Sequence, residues 1–389
     1  MHPTQGQHHF SRQDALIWGR PAAEVVALHM QTKGLRRALI VTNRSLTDSQ
    51  LLSGVKEALG AACAGVFSEC TAHSPRADVL AGASQARQAG ADVIVAVGGG
   101  SVIDSAKLML ACLWLNLHDD EGIDRLQAGD FADTLRGEHA VRMIAVPTTL
   151  SAAEFTHLAG VTDTRTGSKQ LFEHPLYVPS LVVLDPGATR DTPDWLLAST
   201  GIRSIDHCVE TLCSSRPSPY ADAMALHGLK LLSQGLRSFI AEPDKPAHRL
   251  DCQLGTWLAV SGPVAGVPIG ASHVIGRVLG GAFGVPHGHT SCVLLPGVLA
   301  WNASADNGRQ AQIAHAMGAE TNESAAAAVA TLVRHLGQPG SLRDLGIQRE
   351  HFSLIAEKSL TMLAHPGCDG NPRPIHSASQ IFEILDLVY

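Results

Sequence analysis

The sequence predicts an α/β amino-terminal domain built on a mainly parallel, Rossmann-like sheet over residues 1–187, followed by an all-α domain over residues 188–389. Three observations predict it. Up to about residue 186, short apolar runs alternate with amphipathic stretches, the layout of strands joined by crossover helices. The run VIVAV at Val93 to Val97 leads directly into Gly98-Gly99-Gly100-Ser101. Beyond Pro186 the apolar residues recur at helical spacing, and no period-2 run follows.

In chain order, Pro21 to Lys33 reads as a helix, with Pro in its first turn and Gly34 just past its end. ALIVT at Ala38 to Thr42 reads as a strand. Leu46 to Leu59, closed by Gly60, reads as a second helix. A strand at Ala64 to Phe67 precedes the turn His73-Ser74-Pro75 and a helix ending at Gly90. VIVAV follows, then a helix from Val102 to about Leu115, then strands at Met143 to Val146 and Leu181 to Leu184. Asp185-Pro186-Gly187 is turn chemistry and sets the boundary near 187. Helices are expected at Trp195 to Leu212, Ala221 to Phe239 and Leu250 to Val260.

Composition narrows the function. With 45% hydrophobic and 17% charged residues the chain can bury large cores. The 29 Lys and Arg against 36 Asp and Glu leave a net charge of -7, which gives no attraction to nucleic acid or acidic membranes. Nine Phe, five Trp and three Tyr are too few for a base-stacking platform. The eight Cys form no CxxC pair and read as reduced and mostly buried. Residues 1–10 lack the basic-then-apolar layout of a secretion signal, so a cytoplasmic protein is expected. The uncharged stretch Leu254 to Ser272 is interrupted by Pro263 and Pro268 and reads as a buried helical region, not a membrane span.

A buried strand, then Gly98-Gly99-Gly100-Ser101, then a helix forms a cradle for a phosphate. Glycines let the backbone approach, the first helical N–H groups point outward, and the helix dipole favours an anion. Thr148 and Thr149, after the strand ending at Val146, add hydroxyls at the edge where open α/β sheets bind ligands. The two loops together point to a dinucleotide. Asn43 and Arg44 stand at the end of the first strand, where an adenosine ribose would lie. An acid there would grip the 2′-OH of NAD. Neither residue is acidic, and Arg44 either pairs with a 2′-phosphate or is an ordinary surface arginine. NADPH is expected to be accepted at least as well as NADH.

Of the 20 His, three stand apart: His207 in GIRSIDHCVE, His273 in GASHVIGRVLGG and His287 in GVPHGHTSC. The segments 97–107 (VGGGSVIDSAK), 146–156 (VPTTLSAAEFT), 181–186 (LVVLDP), 200–210 (TGIRSIDHCVE) and 273–288 (HVIGRVLGGAFGVPHG) resemble the iron-containing alcohol dehydrogenase superfamily. Within it they resemble the maleylacetate reductase branch, and the resemblance runs from about Arg20 to the carboxyl terminus. It implies the dehydroquinate synthase-like, iron-type alcohol dehydrogenase fold and a catalytic helical domain. It also implies a homodimer, and places Gly99, Gly100, Ser101, Asp104, Thr148, Thr149 and Lys169 on cofactor-binding positions.

The spacing of His273 and His287 matches the paired metal histidines of that superfamily. Metal-dependent members carry an Asp four residues before the first His; here that position is Arg203. Many carry a further His four residues after the second; here it is Arg277. Residues four apart share a helix face, so Arg203 is expected beside His207 and Arg277 beside His273. A guanidinium beside a divalent ion is unfavourable by on the order of several kcal/mol. The expectation is therefore an empty metal position, although His207, His273 and His287 are the candidate ligands, since open three-His zinc sites exist. Two arginines suit a small dicarboxylate substrate, unless they turn to helix ends or to acids such as Glu210.

The resemblance implies NAD(P)H-dependent reduction of maleylacetate to 3-oxoadipate, in the degradation of aromatic compounds and without metal. Arg203 and Arg277 are then carboxylate clamps, His273 or His287 the proton donor, and Arg373 in NPRP a further anion contact. Two other functions stay open: a metal-dependent alcohol dehydrogenase or aldehyde reductase, and a nucleotide-binding protein that has lost catalysis.

Overall fold

A computed structural model describes residues 8, 10–135 and 139–389. Most of residues 1–10, on which the expectation about a secretion signal rests, lie outside the described residues. Tertiary contacts divide the chain into a unit of Ser11–Thr192 and a unit of Pro193–Tyr389, the latter taking in Phe10. The division falls after Thr192, a few residues beyond the expected 187. Thr192 Oγ1 donates to Thr148 O at 2.7 Å, which ties the segment after Asp185-Pro186 to the α/β unit.

The α/β unit contains β1 (Ala15–Trp18), α1 (Ala22–Lys33), β2 (Ala38–Val41), α2 (Gln50–Leu59), β3 (Cys63–Phe67), α3 (Arg76–Gln88), β4 (Val93–Gly98) and α4 (Gly100–Trp114). Then follow α5 (Asp120–Ala128), α6 (Ala132–Leu135), β5 (Arg142–Pro147), β6 (Leu158–Asp163), β7 (Ser168–Glu173) and β8 (Leu181–Leu184). Six strands form one sheet in the order β1-β8-β5-β4-β2-β3, and every neighbouring pair is parallel. Alternate residues serve opposite faces. Leu39, Val41, Ile94, Ala96 and Met143 join a core with α3 and α4. Ala38, Ile40, Val93, Val95, Ile144 and Val183 join one with α1 and α2. Both faces are covered, which explains why these strands read as unbroken apolar runs.

Three local readings are corrected. The helix expected from Leu46 starts at Gln50, because Arg44–Leu46 is a 3-10 turn and Ser49 caps the helix by accepting from Leu52 N at 3.1 Å. Strand β1 was not expected. Nor was the antiparallel hairpin of β6 and β7, which stands apart from the main sheet. Arg76, fully buried, holds that hairpin by bonds of 2.6 and 3.0 Å to Gln170 Oε1 and ties it to Asp124 at 2.7 Å.

On α4, buried Lys107 donates to Ala153 O (2.6 Å), Leu158 O (2.7 Å) and Thr156 Oγ1 (3.0 Å). Burial pushes Lys107 down to about 8 and lifts the carboxyl of Glu154 to about 7. Between the ordinary Glu value and 7 the folded chain holds a proton that the unfolded chain has released, so this group makes stability fall as pH rises through that window. Glu154→Gln removes the slope. Its thermal midpoint should exceed that of wild type by about 4 °C at pH 8 and approach it at pH 5; an equal gap at both values would show that Glu154 does not titrate there.

The second unit contains α7 (Asp194–Cys213), α8 (Pro219–Ala241), α9 (Pro246–Ala259), α10 (Ser261–Val264), α11 (Ala271–Phe283) and α12 (His287–Asn302). It continues with α13 (Arg309–Ala316), α14 (Ala325–His335), α15 (Phe352–Leu363) and α16 (Ala378–Leu387). Its core packs Ile275 and Leu279 of α11 against Val293 and Val298 of α12, Ile355 of α15 and Ile381 and Ile384 of α16. Leu254 to Ser272 is not one helix: α9 ends at Ala259, and Gly266 turns the chain at φ 81° after α10. Among the described residues no helix is long and apolar enough to cross a membrane. The eight cysteines are free thiols, with Cys63 and Cys213 partly exposed and the other six buried.

Candidate active site

The carboxyl ends of β4, β2, β3 and β5 carry the cofactor candidates. Gly98 closes β4 and Gly100 opens α4. A Cβ on Gly99 would fall 2.9 Å from Thr149 Cγ2, and one on Gly100 would fall 3.0 Å from Ser151 Oγ. Only glycine therefore lets the turn after β4 meet the loop after β5. The hydroxyls of Thr149 and Ser151 are buried and have no hydrogen-bond partner among the described residues, which suits an acceptor such as a phosphate oxygen. Thr148 instead holds the turn, its N–H donating to Gly98 O at 3.1 Å. Ser101 Oγ accepts from His73 N at 3.2 Å. Asp104 accepts from Gly160 N at 3.1 Å. Burial raises its carboxyl, opposed by Lys107, Lys169 and that amide. Lys169, on β7, lies across Gly160, where a Cβ would fall 2.5 Å from Lys169 Cε. The unpartnered hydroxyls and the Cβ-free turn fit the phosphates of a nicotinamide dinucleotide.

Asn43 Oδ1 accepts from Ser45 Oγ at 2.9 Å. Arg44 is ion-paired to Glu69, which follows β3, through Nε at 2.8 Å and through Nη2. An acid from the loop after β3 thus stands beside Arg44 at the end of β2.

In the helical unit, Arg203, Asp206, His207 and Glu210 lie along one stripe of α7. Arg203 Nη1 donates to Ser291 Oγ of α12 at 3.0 Å and lies 3.8 Å from Asp206 Oδ2. Asp206 Oδ2 accepts from Ser291 Oγ at 2.6 Å and from Ser272 Oγ at 2.7 Å. His273 Nδ1 lies 2.8 Å from Glu210 Oε2 and 3.5 Å from Asp206 Oδ2. Glu210 does not reach for either arginine. It accepts from the N–H groups of Gly270 (2.7 Å), Ser272 (2.8 Å) and His273 (3.3 Å) and so caps the amino terminus of α11. The rings of His207 and His273 stack, with centroids 4.5 Å apart. Arg277, one turn beyond His273, is exposed, its Nη1 3.7 Å from Cys368 Sγ. His287 opens α12 and packs its ring into the gap at Gly280, where a Cβ would meet His287 Cε1 at 2.9 Å.

Electrostatics divides the roles. Burial lowers His207 well below the usual histidine value, and the charges of His273, Arg203 and Arg277 lower it further, so it is neutral. Burial works against ionised Asp206, yet the His273 ring, its hydrogen bond, Arg203 and Ser291 hold the carboxyl below the ordinary range. Among the described residues, His273 Nε2 and His207 Nδ1 are buried without hydrogen-bond partners.

The donors that converge here differ from the three-histidine set expected for a metal. Among the described residues the group of His, Cys, Asp or Glu donors that converges within 4.8 Å is Asp206, Glu210 and His273, not the three histidines expected. Both Glu210 oxygens are committed to backbone amides, and Asp206 Oδ2 to two serines. Arg203 brings a positive charge to within 3.8 Å of Asp206 Oδ2. Arg373 is also corrected: its guanidinium lies 3.7 Å over the Trp301 ring, with Nη1 on Trp301 O at 3.0 Å and Nη2 3.7 Å from Glu383, so it braces α12 against α16. The sequence reading missed Asp206, Ser272, Ser291 and Glu69. The i, i+3 spacing of Arg203 and Asp206 was the available signal for the first.

Two family models match: iron-containing alcohol dehydrogenase over residues 14–186, and the carboxyl-terminal domain of the same family over residues 197–389. Maleylacetate reductase of Burkholderia cepacia is 29% identical over 367 residues, covering 94% of this chain and 93% of that protein. A probable alcohol dehydrogenase, EutG, of Salmonella typhimurium is 30% identical over 313 residues, covering 80% and 75%. The crystal structure of maleylacetate reductase from Agrobacterium tumefaciens superposes with a TM-score of 0.82 at 25% identity, covering 100% and 99%. With both domains matched and the parallel-sheet and helical units in place, the chain is a member of the iron-containing alcohol dehydrogenase family, an NAD(P)H-dependent oxidoreductase with maleylacetate reductase-like relatives.

Proposed function

We propose that this oxidoreductase reduces a small enedioate of the maleylacetate class to the saturated 3-oxo dicarboxylate, a step in the breakdown of aromatic compounds. The observation that carries the reading is Arg203. A largely buried guanidinium, its side chain 13% exposed, bonded to Ser291 and paired with Asp206, stands where metal-dependent relatives carry an acidic ligand. Similarity to maleylacetate reductases over almost the whole chain supports the substrate class. A homodimer is the assembly that the resemblance implies.

When bound on the Gly98–Ser101 turn, the dihydronicotinamide supplies a hydride. Addition at the alkene carbon β to the keto group moves negative charge onto the carbonyl oxygen. Arg277 and Arg203 clamp the two carboxylates, and the charge of Arg203 also stabilises the developing enolate. His273 returns the proton to the α carbon. Its Nδ1 is backed by carboxylates at 2.8 and 3.5 Å, in the arrangement by which a carboxylate orients a catalytic imidazole. His287 sits in the first turn of α12, where the helix dipole disfavours a cation.

The test follows NAD(P)H absorbance with maleylacetate and, separately, with neutral aldehydes of similar size. The expected kcat/KM for the enedioate exceeds that for the aldehydes by at least about 10³-fold, because neutral substrates bring no carboxylate to either guanidinium. Equal or inverted preference would favour the alcohol dehydrogenase reading. No oxidation with any substrate, alongside intact cofactor binding, would favour a protein that has lost catalysis.

A further inference from the structure

We propose that Glu69 sets the cofactor preference of this chain by holding Arg44, selecting the free 2′-OH of NADH against the 2′-phosphate of NADPH. The inference rests on the reading that the dinucleotide lies on the Gly98–Ser101 turn.

Strand β2 lies between β4 and β3 in the sheet, so the loops after these three strands adjoin at one edge. With the pyrophosphate on the turn after β4, the adenosine ribose falls toward the end of β2. There Thr42 N donates to Phe67 O at 2.8 Å and Cys70 N to Thr42 O at 3.3 Å, lacing the loop after β2 to the one after β3. This lacing brings Glu69 beside Arg44. The farther end of the same loop returns to the turn, where His73 N meets Ser101 Oγ and Ser74 Oγ donates to Ser101 O at 2.9 Å. One loop therefore touches both the phosphate turn and the ribose position.

Arg44 and Glu69 engage through two guanidinium nitrogens, Nε and Nη2, on the single oxygen Oε2. Glu69 Oε1 is left with only a 3.5 Å contact from Ser68 Oγ. That oxygen is the acceptor that a ribose hydroxyl needs, and it repels a phosphate. Arg44, which would otherwise attract the phosphate, is neutralised by the same carboxylate. Both side chains are largely exposed, so the discrimination is screened by salt.

The experiment measures binding of NADH and of NADPH to the full-length protein by titration, at low and at high salt. It compares wild type, Glu69→Gln, and Glu69→Gln combined with Arg44→Ala. Wild type should bind NADH more tightly than NADPH. Glu69→Gln should tighten NADPH by about tenfold at low salt and less at high salt, with NADH changed by no more than about threefold. Adding Arg44→Ala should abolish the gain. If NADPH affinity stays put in Glu69→Gln while NADH still binds, Glu69 does not discriminate. If NADH fails to bind even wild type, the placement of the dinucleotide is wrong and the proposal falls with it. Neither residue packs in a core, so retention of the wild-type thermal midpoint checks folding independently.

Discussion

His273→Gln lowers kcat for the enedioate by two to three orders of magnitude, within the range of about 10²–10⁴ for loss of a general acid, and leaves cofactor affinity unchanged. The expectation follows from the contacts of one ring. Its Nδ1 faces Glu210 and Asp206, while Nε2 is buried with no protein acceptor or donor among the described residues. An imidazole held on one side and open on the other can deliver a proton where the protein offers none. His287→Gln, by contrast, should lower kcat by less than about tenfold, because that ring fills the gap at Gly280. Steady-state kinetics with a bound-cofactor control checks both. If His287→Gln proves the more damaging, the donor has been misassigned.

Arg203→Asp carries the second large effect. It removes the guanidinium bonded to Ser291 and sets a carboxylate four residues before His207, as in metal-dependent relatives. Two acids, Asp206 and the new one, would then lie three residues apart on a buried helix face with no resident cation. The variant should raise KM for the dicarboxylate by about 10–100-fold and take up divalent metal that wild type does not, read by elemental analysis after dialysis. Arg203→Lys, which keeps the charge but not the planar fork, should fall between. A variant with wild-type KM and no added metal would remove Arg203 from the site.

The parallel sheet was legible because both its faces are covered, so its central strands are continuous apolar runs and the glycine turn follows the most apolar of them. The hairpin of β6 and β7 was not: in SKQLFE only Phe172 is buried, and its place is set by Arg76 reaching from α3, a contact no local pattern contains. Strand β1 is four residues long on a sheet edge, too short for periodicity to show. In the site, Arg203, His207 and His273 could be placed together by counting turns of two helices. The i, i+3 spacing put Asp206 beside Arg203, but its bonds to Ser272 and Ser291 were not legible, because those partners arrive from α11 and α12 and helix packing is not written in the spacing along α7. Glu69 escaped for a similar reason, since strand order, not sequence distance, brings β3 beside β2. Arg373 shows the converse: a motif suggested an anion contact, and the packing of Trp301 took the guanidinium instead.

The most direct measurement is turnover of the enedioate by wild-type protein stripped with a strong chelator, with bound metal determined on the same sample. A full rate with far less than one metal per chain is the predicted result, since the charge needed beside the developing enolate belongs to the polypeptide. Loss of activity on stripping, with recovery on adding back iron or zinc in a one-to-one ratio, would contradict it.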